Sequence, residues 1–69
     1  MTPSELYAKF KAWNPEMDKM VLDYRQWGSN SLCIWLYNGM KYKAKLYDGN
    51  KFIMQTVTDE DVKRKFGGN

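Results

Sequence analysis

The chain contains nearly the same phrase twice, and this repetition constrains its fold more than any other feature. Residues 36–42 read LYNGMKY and residues 46–52 read LYDGNKF. Asn-Gly or Asp-Gly between alternating apolar residues is the strongest short-range signal for a β-hairpin. The repeated phrase therefore predicts two successive tight turns that join three antiparallel strands.

The length of each turn decides which side chains share a face of the sheet. A two-residue loop in the first turn would pair Leu36 with Lys41 and mix apolar with charged residues on one face. A three-residue loop, with Gly39 in the left-handed conformation, pairs Leu36 with Met40. Because a one-residue slip moves every side chain to the other face, burial favours the three-residue loop.

The same loop applied to the second turn places Ala44 opposite Phe52, and Leu46 opposite Asn50. A third hairpin loop at 28–30 would place Leu22 and Tyr24 on the same face, opposite Leu36 and Ile34. The apolar residues of the three later strands then form one inner face, which consists of Leu32, Ile34, Leu36, Met40, Tyr42, Ala44, Leu46, Phe52 and Met54.

A helix is predicted at each end of the chain. Thr2, Pro3 and Glu5 form a helix start with a capping box, and the Asn14-Pro15 pair ends that helix. Near the other end, Thr58 is a helix cap that is followed by acidic residues and then by basic residues, as the helix dipole favours. Residues 15–27 are compatible with a second helix or with a loop followed by a strand, and the hairpin register favours the strand.

The predicted fold class is α+β in a single domain, residues 1–69. The expected elements are a helix at about residues 3–12, four strands of an antiparallel β-meander at about 20–27, 31–37, 40–47 and 51–57, and a short helix at about 58–66. The two short helices can both cover the inner face, and the outer face would then stay open. Alternatively, one of them crosses to the outer face and buries Trp35, and the sequence does not decide between these arrangements.

Composition argues against several classes of function. The chain has no histidine and one cysteine, so it lacks the commonest general base and any thiolate zinc site. We predict that it is not an enzyme, that it has no catalytic or metal-ligating residues, and that it uses no cofactor. The lone cysteine and the lack of an apolar run of about 18 residues favour a cytoplasmic protein without membrane association.

The predicted outer face carries the candidate binding residues. Aromatic and basic side chains alternate there, a pattern that suits single-stranded nucleic acid because rings stack on bases and lysines track phosphates. The same alternation is also typical of a solvated strand face or of a protein-binding surface. The candidate residues are Trp35, Tyr37, Lys41, Lys43, Lys45 and Tyr47.

Part of the chain resembles a known group of proteins. The pattern comprises Gly28, Asn30, Ser31, Leu32, Ile34, Leu36, Asn38, Gly39 and Tyr42, with Trp13 and Pro15 upstream. It is similar to small uncharacterised proteins encoded by phages and prophages of Gram-positive bacteria, over about two thirds of the chain. The resemblance implies a small accessory protein made inside an infected or lysogenic cell.

The resulting functional expectation is a non-catalytic, protein-binding module that uses the aromatic and lysine face or a sheet edge. A host or viral protein is the expected partner. Alternatives are nucleic acid bound by the same face, a structural or assembly role, and a homodimer formed through an uncovered strand edge.

Overall fold

A computed structural model describes residues 1–67 of the chain. Its four strands form one antiparallel sheet in the order β1-β2-β3-β4, so the predicted α+β meander is confirmed. A π-helical turn continues α3, and we call residues 59–67 together the C-terminal segment. The elements are α1 (Pro3–Trp13), α2 (Pro15–Asp18), β1 (Val21–Gly28), β2 (Ser31–Leu36), β3 (Lys41–Tyr47), β4 (Lys51–Thr56), α3 (Asp59–Val62) and the π-helical turn (Lys63–Gly67).

The predicted N-terminal helix is present and has the expected start. The Thr2 side chain accepts a hydrogen bond from the Glu5 amide, and the Glu5 carboxylate accepts one from the Thr2 amide. These bonds lower the pKa of Glu5. Leu6 and Phe10 lie one turn apart and are both fully buried, which makes the inner stripe of this helix its attachment to the sheet.

Residues 15–27 contain elements of both interpretations. A single helical turn, α2, begins at Pro15, and the Asn14 side chain caps it by accepting from the Met17 amide at 3.1 Å. The strand that the hairpin register favoured follows as β1. Tyr7 joins these elements to α1, because its ring stacks on Tyr24 at 4.2 Å and its hydroxyl donates to Asp18 at 2.5 Å.

The first turn of the repeated phrase has the predicted geometry. Gly39 has a φ of 89°, and the Leu36 amide donates to the Met40 carbonyl at 2.9 Å. Ile34 lies opposite Tyr42, as the three-residue loop requires. The prediction for this hairpin is therefore confirmed, and the fully buried Ile34 shows that the two faces were assigned correctly.

The second turn differs from the first, and its predicted register was wrong. Leu46 lies opposite Phe52 rather than Asn50. The reason is that both Asp48 and Gly49 adopt positive φ, at 55° and 84°, so the chain reverses with a different set of backbone angles. The shift amounts to two residues, and an even shift leaves every side chain on its predicted face.

The first strand also departs from its predicted register at one end. Tyr24 lies opposite Ile34 as expected, but Val21 takes the place predicted for Leu22 opposite Leu36. A bulge between Val21 and Asp23 inserts one residue and directs Leu22 to solvent, where 56% of its surface is exposed.

The core lies between α1 and the inner face of the sheet. Phe10 is at its centre, with its ring 5.5 Å from Phe52 in an edge-on contact. Met40, which was predicted on the inner face, precedes the first residue of β3 and is 42% exposed. The fully or largely buried core residues are Leu6, Phe10, Leu32, Ile34, Leu36, Ala44 and Phe52.

Candidate functional site

The C-terminal segment packs on the outer face of the sheet, opposite α1. The Phe66 ring lies 5.5 Å from the Trp27 ring and 6.1 Å from the Trp35 ring, and the Arg25 guanidinium lies 5.3 Å above it. The Lys41 ammonium forms an ion pair with Asp59 at the start of α3. The sequence left open whether one helix crosses to the outer face, and the structure places the C-terminal segment there.

Local sequence explains how this segment begins. The Thr58 side chain accepts from the Asp61 amide, and the Asp61 carboxylate accepts from the Thr58 amide, both at 3.1 Å. This reciprocal cap lowers the pKa of Asp61. Val62 and Phe66 follow on one side of the segment, and the two tryptophans of the outer face provide the apolar surface on which Phe66 packs.

A groove of about 550 Å³ remains between the C-terminal segment and the first three strands. Both acidic and basic side chains line it, and two of them, Lys41 and Asp59, already pair with each other. The groove therefore has no uniform charge that would select a ligand of one sign. It is lined by Asp23, Arg25, Trp35, Lys41, Asp59, Val62, Lys63, Phe66 and Gly67.

Cys33 lies on the outer face of β2 and is fully buried. Its cross-strand neighbours are Arg25 and Lys43, and the next outward side chain on its own strand is Trp35. Burial raises the pKa of this thiol from 9.0 to about 11, although the nearby Lys41 and Arg25 act in the opposite direction. A buried thiol with a raised pKa is unreactive near neutral pH.

This thiol gives the protein an expected pH dependence. A raised folded-state pKa stabilises the fold below pH 9, and the contribution is lost as the pH rises towards about 11. Tyr7 acts in the same direction, because burial and its hydrogen bond to Asp18 also raise its pKa. We expect the free energy of unfolding, measured with urea, to fall by about 2 kcal/mol between about pH 8 and about pH 10.5 on account of Cys33.

The variant Cys33→Ala separates the two contributions. As the pH rises, its free energy of unfolding should fall less than that of the natural chain. Adding Tyr7→Phe to this variant should reduce the fall further. An equal alkaline loss in the natural chain and in both variants would contradict the assignment of this pH dependence to the two buried groups.

The structure does not bring the six predicted site residues together. Trp35 is half-buried against Phe66, and the Lys41 side chain is only 18% exposed beside Asp59. The Lys43 ammonium lies 5.4 Å from the centre of the Trp27 ring, which makes it part of the covered area. Trp35 and Lys41 therefore contact the C-terminal segment and Lys43 lies against Trp27, so the three residues do not form an open surface.

The two candidate tyrosines lie far apart. Tyr37 is in the turn between β2 and β3, and Tyr47 is the last residue of β3. The strand between them has seven residues, so about 20 Å of sheet separates the two ends. Both tyrosines are exposed, but no single small ligand could contact both rings and the lysines between them.

An open surface remains on the outer face of the β3–β4 hairpin. Tyr47 is 44% exposed and lies opposite Lys51, while Ile53 is 54% exposed and lies opposite Lys45. Neither lysine forms an ion pair with any part of residues 1–67. We call Lys45, Tyr47, Lys51 and Ile53 the hairpin patch. The alternation of β4 placed Lys51 and Ile53 on the outer face, but sequence reasoning did not include them in the site.

No family model, no curated protein and no solved structure matches this chain. Among residues 1–67, no helix is long and apolar enough to cross a membrane. The same part of the chain contains no group of three or more cysteine or acidic residues arranged to hold a metal ion.

Proposed function

We propose that this protein is a non-catalytic binding module that docks its hairpin patch onto an acidic surface of a protein partner. The observation that carries the proposal is the composition of the patch. Two exposed apolar anchors, Tyr47 and Ile53, lie beside two lysines without ion-pair partners in the described chain, on the half of the outer face that the C-terminal segment leaves open.

Each part of the patch has a distinct role in such a complex. Tyr47 and Ile53 offer apolar area that a partner can remove from water, and tyrosine is among the residues most often found at binding hot spots. Lys45 and Lys51 lie diagonally across the hairpin and attract carboxylates, which speeds encounter and makes the affinity depend on salt. A protein surface that carries acidic residues around a shallow apolar area is complementary to this arrangement.

Nucleic acid is less well supported than protein. A single-strand binding surface needs several rings on which successive bases stack. Of the aromatic residues first considered, Trp35 packs on Phe66 and Tyr37 lies at the far end of the sheet, so the patch contains only the ring of Tyr47. The formal net charge of +3 is also small for a protein that depends on phosphate contacts.

We infer the setting of the interaction from the resemblance noted in the sequence. The resemblance to small proteins of phages and prophages supports a host or viral protein as the partner and a bacterial cytoplasm as the location. The proposed partner is recognised by its acidic surface.

The proposal can be tested with two labelled probes. One is a fluorescein-labelled peptide of alternating glutamate and valine, and the other is a fluorescein-labelled oligothymidine of about twelve nucleotides. We expect the peptide to bind with a salt-dependent affinity, measured by fluorescence anisotropy. The double variant Lys45→Glu and Tyr47→Ala should weaken this binding at least about tenfold.

A matched control uses the same two substitutions away from the patch. Lys11 lies at the end of α1 and Tyr37 in the first turn, so Lys11→Glu with Tyr37→Ala changes the charge and the aromatic content equally. This control should retain peptide binding. Equal losses in both double variants would contradict the proposal, and so would a peptide that does not bind. Tighter binding of the oligonucleotide, lost in the patch variant, would assign the patch to nucleic acid.

A further inference from the structure

The two edges of the sheet are protected to different degrees. The β1 edge has two bulges, one between Val21 and Asp23 and one between Gln26 and Gly28, and it carries the charges of Asp23 and Arg25. Bulges and charges are the features by which natural proteins prevent edge strands from pairing with other chains. The β1 edge is thus a poor template for a further strand.

The β4 edge has none of these protections over its central residues. Its pairing with β3 is regular over six consecutive residues, and residues 52–56, FIMQT, contain no charge, proline or glycine. A flat, uncharged edge strand of this kind exposes a row of backbone groups that can pair with another strand. The structure therefore leaves one edge of the sheet open to pairing.

The hydrogen-bond pattern identifies which backbone groups are free. The Val57 amide donates to the Lys41 carbonyl at 3.2 Å, so the alternate β4 residues Lys51, Ile53 and Gln55 also direct their backbone groups towards β3. The backbone groups of Phe52, Met54 and Thr56 point away from the sheet. Within residues 1–67, no other segment supplies backbone hydrogen bonds to this edge.

We propose that β4 pairs antiparallel with β4 of a second copy of the chain, with the two Ile53 residues opposite each other. Phe52 and Met54 of the two copies then exchange backbone hydrogen bonds, and the two sheets join into one. On the outer face each Lys51 lies opposite the Gln55 of the other copy. The homodimer and the acidic-partner proposal both involve Lys51 and Ile53 of β4, whereas Lys45 and Tyr47 lie on β3 and do not take part in the pairing.

Side-chain chemistry selects this register over its neighbours. Only shifts by two residues keep the apolar faces of the two sheets on the same side. A shift in one direction places Lys51 opposite Ile53, and a further step places the two Lys51 residues opposite each other, which is unfavourable. A shift in the other direction places Ile53 opposite Gln55. The proposed register alone pairs isoleucine with isoleucine without bringing like charges together.

The inner face is also compatible with this pairing. Phe52 is buried beneath Trp13, whose ring lies 5.6 Å away, yet Trp13 is still 36% exposed. Met54 is half-buried. Placing Phe52 of one copy opposite Met54 of the other continues the apolar inner face across the junction, so pairing buries apolar surface in addition to satisfying backbone groups.

The register predicts opposite effects for two substitutions at one exposed position. Gln55→Glu places a carboxylate opposite Lys51 twice in the symmetric dimer, and it should tighten association about two- to thirty-fold. Gln55→Lys places like charges opposite each other twice and should weaken association by a similar factor. Sedimentation velocity between about 1 µM and about 1 mM protein measures both, because self-association depends on concentration.

A third variant and its control test the centre of the interface. Ile53→Lys brings two ammonium groups together and should abolish the dimer over the same concentration range. Leu22→Lys makes the same change on the β1 edge at a residue of nearly equal exposure, 56% against 54%, and should leave association unchanged. Far-UV circular dichroism checks that each variant is folded.

Several outcomes would overturn the dimer. One is that the natural chain stays monomeric at the highest concentration. Another is that the variants Gln55→Glu and Gln55→Lys shift association in the same direction. An equal loss in Leu22→Lys and Ile53→Lys would assign the association to net charge. The variant Lys45→Glu with Tyr47→Ala should still dimerise, so the failure of the acidic-partner proposal and the failure of the dimer are seen in separate measurements.

Discussion

Replacing Phe66 with alanine is expected to raise the rate at which a thiol reagent modifies Cys33 by about tenfold to a hundredfold. The Phe66 ring contacts both Trp27 and Trp35 and is the main apolar contact between the C-terminal segment and the sheet. Cys33 points to the same face and is fully buried. Without the ring, the segment should open more often, and each opening exposes the thiol.

The measurement is the absorbance change with an aromatic disulfide reagent at about pH 8, well below the thiol pKa of about 11. Lys65→Ala is the matched control, because it shortens an exposed neighbour in the same π-helical turn. Its modification rate should equal that of the natural chain. A Phe66→Ala variant with an unchanged rate and an unchanged circular dichroism spectrum would mean that other contacts shield Cys33.

Replacing Phe10 with alanine should remove about 3–5 kcal/mol from the free energy of unfolding. This side chain is fully buried, and its ring lies within 6 Å of the rings of Tyr7, Trp13 and Phe52. Domains are stabilised by only about 0.05–0.15 kcal/mol per residue, so a chain of this length has few kcal/mol to lose. We expect the variant to be largely unfolded at room temperature.

Far-UV circular dichroism without denaturant shows whether the variant is folded, and urea denaturation of the natural chain and of any folded variant measures the free energy of unfolding. The adjacent Lys11 is exposed in the last turn of α1, so Lys11→Ala should change the free energy of unfolding by no more than about 0.5 kcal/mol. A loss of less than about 1 kcal/mol in Phe10→Ala would show that α1 contributes little to the stability of the sheet.

Much of the sheet could be predicted because its signals are local. Gly39 follows asparagine between alternating apolar residues, and only one loop length puts Leu36 and Ile34 on the same face as Tyr42. The second turn could not be predicted in the same way. In this turn both Asp48 and Gly49 adopt positive φ. Small differences in backbone conformational energy decide this, and the two nearly identical sequences do not show them.

The site was harder to predict because it depends on tertiary packing. A short segment with two apolar residues, Val62 and Phe66, can pack on either face of a sheet, and its own sequence does not decide between them. A signal was nevertheless present on the sheet itself. Trp27 and Trp35 lie on adjacent strands of the outer face, and a large apolar area of that kind is usually covered. This signal predicts that the two tryptophans are covered, and the open half of the outer face is then the β3–β4 hairpin.

The order of the strands in the sheet also determines how this chain can fold. Every strand pairs with its neighbour in sequence, and such hairpins close within about 1–10 μs because few residues separate the pairing segments. The contact of Phe10 with Phe52 is different, since it joins the first helix to the last strand. The meander can therefore assemble from local pieces, while the docking of α1 across the finished sheet closes the longest loop and is the step expected to limit the folding rate.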